Sequence, residues 1–215
     1  MAMTLELVDR NGNPLSVTKK GALQTFRRIP DFVTLVNEGR VFSAMGTVTN
    51  VALVARPTTV ASLVVQNPAS SSKVYVIFEV LLYTNVVPAT LGTVTLWHCV
   101  HKLAAAAFTA DIVLRGTGAG SATPLKAGVT YNGGAIFDET AVTVVDDGWV
   151  PTPLELVSNI ATTNFQSKAA KLNVPVVLPA GMHYSLQTTA TVVTFESAPG
   201  ITWAELDEDD LVYAN

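Results

Sequence analysis

The sequence predicts an all-β fold, an antiparallel β-sandwich, and two observations carry that prediction. Across its 215 residues the apolar stretches are mostly short, rich in Val and Thr, and separated by Gly, Pro and Asn turns. Charge is also missing from long stretches. Val80–His101 is 22 residues, and Leu172–Phe195 is 24, without one Asp, Glu, Lys or Arg. Charged residues make up 14% of the chain, against about 25% in typical soluble domains.

Residues 1–40 carry six basic and four acidic side chains, few β-branched runs and the turn signal Asn11-Gly12-Asn13-Pro14. They read as a partly extended N-terminal arm with one hairpin. Strands are then expected at Thr47–Val54, Val60–Val65 and Val74–Tyr83, the last entered through the turn-rich Asn67–Ser72. Strict alternation would put Val74, Val76, Phe78, Val80 and Leu82 on one face of that strand. Tyr75, Ile77, Glu79, Leu81 and Tyr83 would lie on the other. Both faces are apolar except at Glu79, so both should be covered, and a neighbouring subunit is the simplest cover for the outer one.

Further strands are expected at Gly92–Val100, Ile112–Leu114, Ala141–Val145, Leu154–Val157, Val174–Leu178, Tyr184–Thr189 and Thr191–Glu196. The Leu178-Pro179-Ala180-Gly181 turn would close a hairpin between two of them. The Ala run in Leu103–Ala107 favours helix. Ile160–Lys171 reads as a loop or a short helix. The sandwich is thus expected over residues 41–200. Residues 201–215 hold Glu205, Asp207, Glu208, Asp209 and Asp210 and no base, an acidic docking tail flanked by Leu206, Leu211, Val212 and Tyr213. The zones carry net charges of +2, −1 and −5, which make the −4 of the whole.

Composition excludes several classes. Cys99 is alone, so the chain is not a disulfide scaffold. Glu6 and Asp9 stand where a signal peptide needs an apolar core. The charge-free stretches are long enough to span a bilayer, but Asn85, Pro88 and Gly92 break the first. Pro175, Pro179, Gly181 and Gln187 break the second, so no membrane helix is expected. A surface with few charges keeps few like charges apart and favours contact with other subunits.

No catalytic, cofactor-binding or metal-binding set stands out. In Trp97-His98-Cys99-Val100-His101, a strand would point Cys99 and His101 the same way, two ligands where a structural zinc needs four, with His183 a third only by tertiary accident. Cys99 lacks the base and polar setting of a nucleophile. Arg115–Ser121 is Gly-rich but lacks the Lys and following helix of a phosphate loop. The three histidines have no carboxylate beside them in sequence. Lys19, Lys20, Arg27, Arg28 and Arg40 fall short of the broad basic face that nucleic acid needs, and an acidic protein surface suits them as well. Trp97, Trp149 and Trp203 read as core residues, with stacking on sugars the alternative.

The Asn67-Pro68 to Ser72-Lys73 turn entering an apolar strand, and Pro175-Val176-Val177-Leu178-Pro179-Ala180-Gly181 entering a strand that ends Gln187-Thr188-Thr189, resemble jelly-roll structural proteins of tailed bacteriophages, such as capsid decoration and fibre-associated proteins. The resemblance covers about residues 45–195 and rests on turn chemistry shared by many β proteins. It implies a jelly-roll sandwich on a virion, self-associated as a homotrimer and bound to other virion proteins, without catalysis or cofactor. The basic arm and acidic tail depart from the pattern. The alternative is a carbohydrate- or receptor-binding module of a tail or fibre tip.

Overall fold

The computed structural model describes residues 16–17, 23–24, 32–47, 50–86, 93–103, 112–113, 122–131, 133–139, 141–152, 167–191 and 195–207. Strands dominate, and every ladder between them is antiparallel. The first sheet has the order β10 (Thr123–Pro124), β3 (Val41–Met45), β16 (Glu196–Asp207), β7 (Lys73–Val86), β14 (Ser167–Leu178), with β4 (Asn50–Val51) also paired to β16. The second has the order β13 (Val150–Pro151), β8 (Val94–Val100), β15 (His183–Ala190), β6 (Leu63–Gln66), β11 (Ile136–Asp138), β9 (Ile112–Val113). β5 (Val60–Ala61) pairs with β12 (Val142–Thr143). β1 (Ser16–Val17) pairs with β2 (Leu23–Gln24), within the segment expected to hold one hairpin.

The two large sheets share one core, the arrangement of a β-sandwich. Ile77, Val80, Leu82, Ile201 and Trp203 of the first meet Leu63, Val65, Leu96, Tyr184 and Leu186 of the second. At one end the aromatic rings interlock. Phe42 meets Tyr131 at a centroid distance of 4.6 Å, and Trp203 lies 5.8 Å from Tyr131 and 6.2 Å from Phe137. Such pairs add about 1 kcal/mol each beyond the area they bury.

Two smaller apolar clusters lie outside the sheets. Trp149, Val142 and Val144 cover Val64 and Cys99 on the outer face of the second sheet. Helix α1 (Phe32–Asn37) sets Leu35 over Val41, Val76, Ala204 and Leu206 on the outer face of the first. Part of the outer face of β7 is therefore covered from within the chain, where a neighbouring subunit was expected. The sequence hides this helix, because six residues without an acid in the first turn or a base in the last give little helical signal.

The strict alternation expected for β7 also fails. Across β16, Ile77 faces Trp203 and Glu79 faces Thr202, so Phe78 is an extra residue, a β-bulge. Tyr75 and Ile77 point into the core before it, and Val80 and Leu82 after it. A bulge swaps the faces of everything beyond it, which periodicity of two cannot foresee.

Several boundaries move. β16 continues to Asp207 beside β7 and β3, so Glu205 lies in a sheet rather than in a tail beginning at 201. Ser167–Lys171, expected as loop or short helix, is the first part of β14. The strand expected over Thr47–Val54 shortens to Asn50–Val51, and that over Thr191–Glu196 gives way to β16, which starts at Glu196. The Pro179–Met182 turn is real: Met182 N donates to Pro179 O at 3.1 Å, and Gly181 takes a φ of 82° that a residue with a Cβ resists. It joins β14 to β15, which lie in different sheets, so it is a crossover and not a hairpin. Residues 104–107 and Leu154–Val157 lie outside the described residues.

Candidate functional site

β8 and β15 are neighbours, and their register sets a polar cluster on the outer face of the second sheet. Ser185 lies opposite Cys99, and His183 precedes it by two residues on the same face. The chain leaves β8 at His101, whose backbone N–H reaches His183 O at 3.4 Å. His101 Nε2 lies 2.7 Å from Ser185 Oγ, and His101 Nδ1 lies 3.2 Å from Asp147 Oδ2. The imidazoles of His101 and His183 stack with centroids 3.9 Å apart.

Asp147 arrives on the turn between β12 and β13. Its carboxylate accepts the backbone N–H of Lys102 at 3.2 Å, and that bond, followed by the imidazole, holds it below the usual carboxylate range. Arg56 forks onto Asp146 at 2.9 and 3.1 Å and ties down the same turn. Burial lowers the pKa of His101, and burial with the neighbouring His101 lowers that of His183 to about 4. Both rings are neutral at pH 7.

Serine, imidazole and carboxylate in this order are the parts of a nucleophilic triad. Such a serine must meet its substrate, and here Ser185 is completely buried and His101 is 2% exposed. In this geometry the set works as a buried polar network. It anchors the Asp146–Asp147 turn and the end of β8 to β15. Sequence reasoning missed it because Asp147 is 46 residues from His101 and Ser185 is 84. The one usable signal was the Ser185-Gln187 alternation, polar on a face where a core strand would carry valines. His98 points the other way, toward Tyr184 of the main core, with ring centroids 5.7 Å apart.

The remaining candidates resolve one by one. His183 does join His101, as a stacked ring, and among the described residues no three His, Cys, Asp or Glu side chains gather as metal ligands. Cys99 is buried beneath Trp149, and burial pushes its thiol pKa up. Trp149 and Trp203 are buried, while Trp97 is half-buried and donates to Thr189 Oγ1 at 2.8 Å. Arg40 binds Glu205 O at 2.9 Å and Glu38 at 3.2 Å, and lies 3.8 Å from Asp207, so this base meets acids of its own chain. Lys19, Lys20, Arg27, Arg28, Arg115–Ser121, Glu208–Asp210 and Leu211–Tyr213 lie outside the described residues.

A different surface is open. On the outer face of the first sheet, beside α1, lies a groove of about 510 Å³ walled by Phe32, Phe78 and Leu172, with Glu79, Lys171 and Thr202 among its polar positions. Phe32 is 45% exposed. Tyr83 and Val177 are both exposed, and Val174 on β14 is 77% exposed. Among the described residues β14 pairs only with β7. No helix among the described residues is long and apolar enough to cross a membrane. Comparison of the chain with protein-family models, with curated proteins and with solved structures finds no match to any of them.

Proposed function

We propose that this chain is a non-enzymatic structural protein of a phage virion, which self-associates as a trimer and attaches to or stabilises the capsid or an appendage. The observation that carries the reading is the apolar groove on the first sheet, walled in part by Leu172 of β14, the strand that also exposes Val174 and Val177. A second copy of the chain is its occupant. The groove is apolar, with one base and one acid, so it presents no net charge for a like copy to repel. The low charge of the whole chain acts in the same direction.

The strand order supports a jelly roll. Strands β3, β6, β7, β8, β13, β14, β15 and β16, counted one to eight, give one sheet ordered one-eight-three-six and another ordered two-seven-four-five. Two Greek keys wrapped into a double sheet produce this interleaving, and the architecture recurs in viral capsid and lectin domains. Strands β9, β10 and β11 extend the edges of these two sheets.

Two measurements test the proposal. Sedimentation of the purified chain should give a mass three times 22.7 kDa at micromolar concentration. A monomer at every concentration up to the solubility limit sinks the self-association. Antibody labelling of purified phage particles should place the chain on the virion, and particles devoid of it would overturn the assignment.

A further inference from the structure

A second cavity, of about 520 Å³, opens where the Pro68–Ser72 turn meets the end of the first sheet. The structural role proposed above does not use it. Glu205 of β16 forms part of its wall and is only 9% exposed. Tyr131 Oη donates to Glu205 Oε1 at 2.7 Å, and Trp203 Nε1 donates to the same oxygen at 3.2 Å. Both bonds fall on one oxygen. The Tyr75 side chain also hydrogen-bonds this carboxylate, whose roughly four lone-pair sites leave acceptor capacity beyond these three donors. Phe42 and Tyr75 supply apolar surface, Ser71 supplies a hydroxyl, and Lys73 stands at the mouth.

The charges are arranged to cancel. Lys73 Nζ binds Asp207 Oδ1 at 2.5 Å and also acts electrostatically on Glu205. A cationic ligand would meet Lys73 and an anionic one would meet Glu205. The wall is also rigid. Asn67 Nδ2 donates to Lys73 O at 2.8 Å and to Leu178 O at 2.9 Å, and Ser71 N closes the turn onto Pro68 O at 2.9 Å. A preformed wall spares a ligand the cost of ordering it.

We propose that this cavity binds a neutral polyhydroxylated ligand, one saccharide unit. Its volume lies within the roughly 300–1,000 Å³ of small-molecule sites. A pyranose offers hydroxyls that donate to the remaining lone pairs of the Glu205 carboxylate and compete for Ser71 Oγ, which already accepts Lys73 N at 3.0 Å, and an apolar ring face for Phe42 and Tyr75. Burial pushes the Glu205 pKa up and its donors oppose that shift, and a hydroxyl bonded to the charged carboxylate is held more strongly than one bonded to a neutral acceptor.

The test uses the full chain and four probes: the methyl glycosides of glucose, galactose and mannose, and N-acetylglucosamine, each up to about 20 mM, a range that reaches millimolar affinities. The indole N–H resonance of Trp203, bonded to Glu205, reports the site. At least one probe should shift it saturably. A Cβ on Gly134, which lines the cavity, would meet only Pro68 Cγ at 3.7 Å, so Gly134→Leu obstructs the site without forcing the backbone. It should abolish the shift while the melting temperature holds. Glu205→Gln keeps the shape and an acceptor but loses the charge, and should weaken binding about tenfold, as loss of one charge-assisted bond predicts. Silence from all four probes overturns the proposal, as does saturable binding that persists in folded Gly134→Leu. If Gly134→Leu does not fold, unchanged affinity in Glu205→Gln overturns it. The oligomeric mass enters none of these outcomes.

Discussion

The imidazoles of His101 and His183 lie face to face, 3.9 Å between centroids and 11° between planes, both nearly excluded from solvent. Two cations cannot occupy that stack. The pKa of His183 is held at about 4 in the fold, against 6.5 for the free side chain. The unfolded chain therefore binds more protons between pH 6.5 and 4, and stability falls as pH drops through that window. It is fully present above pH 6.5. The loss should reach about 2–3 kcal/mol by pH 4, because one proton taken up only by the unfolded chain costs about 1.4 kcal/mol for each pH step of one. Glu205, whose pKa burial pushes up, acts in the opposite sense and blunts the slope. Denaturant titrations at pH 7 and pH 4.5 on the wild type and His183→Phe would isolate the pair. Equal slopes in the two proteins would refute this account.

Asn67 ties together two of the crossovers between the sheets, β6 to β7 and β14 to β15. Its side-chain amide donates to Lys73 O after one crossover and to Leu178 O before the other, and the residue is completely buried. Asn67→Ala strands two carbonyls and should cost about 2–3 kcal/mol, since each unsatisfied buried group costs about 1 kcal/mol or more. Asn67→Asp should be at least as harmful, because a carboxylate cannot donate to either carbonyl. Urea midpoints measure both, and a change below about 0.5 kcal/mol in either would contradict the clamp.

How much of this was legible in the sequence depends on how local the signal was. β7, β8 and β15 were plain from β-branched composition and flanking turns, because propensity and burial agree there. Phe78 could not be recognised as a bulge, since one extra residue leaves composition unchanged. In the sequence Glu205 reads as the first acid of a docking tail. Its neighbours Trp203, Ala204 and Leu206 are apolar, but what makes a buried carboxylate tolerable is Tyr131, 74 residues away. The cluster at His101 was hidden for the same reason: Asp147 and Ser185 approach only through strand pairing. The outer apolar face of β7 was legible, but its cover was not. A six-residue helix with no charged ends leaves hardly any trace.

Self-association has a sharp mutational signature. Val177 is 38% exposed on the outer face of β14, opposite Val76. In an isolated chain Val177→Asp should be nearly neutral, within about 0.5–1 kcal/mol, because surface changes on a strand cost little. In the assembly it would bury an unpaired charge and should split the trimer, a cost of several kcal/mol. Sedimentation would then show a folded chain of 22.7 kDa. A mutant that unfolds or keeps the wild-type mass would place the contact elsewhere.

Cys99 gives a probe of the second sheet's cover. The thiol is 1% exposed beneath Trp149, and burial raises its pKa, so in the fold it is both shielded and protonated. The thiolate is the reactive species, and reagents such as a disulfide of nitrobenzoate need direct access to it. Cys99 should therefore react only through opening of the fold. Two routes are distinguishable. If the Val142–Trp149 segment lifts locally, labelling at pH 8 will outpace global unfolding and will depend little on urea at low concentration. If the segment opens only with the whole sandwich, the labelling rate will rise with urea along the global unfolding slope. The Arg56–Asp146 fork decides between them. It is an exposed pair on this segment, and Arg56→Ala should cost less than about 1 kcal/mol globally. Lys102 N and His101 anchor the same turn from beneath through Asp147, which Arg56→Ala leaves intact. The expected result is slow labelling that tracks urea in both proteins, because the buried network holds the segment and the exposed ion pair does not. Immediate labelling of the native chain would show that the cover does not form as described.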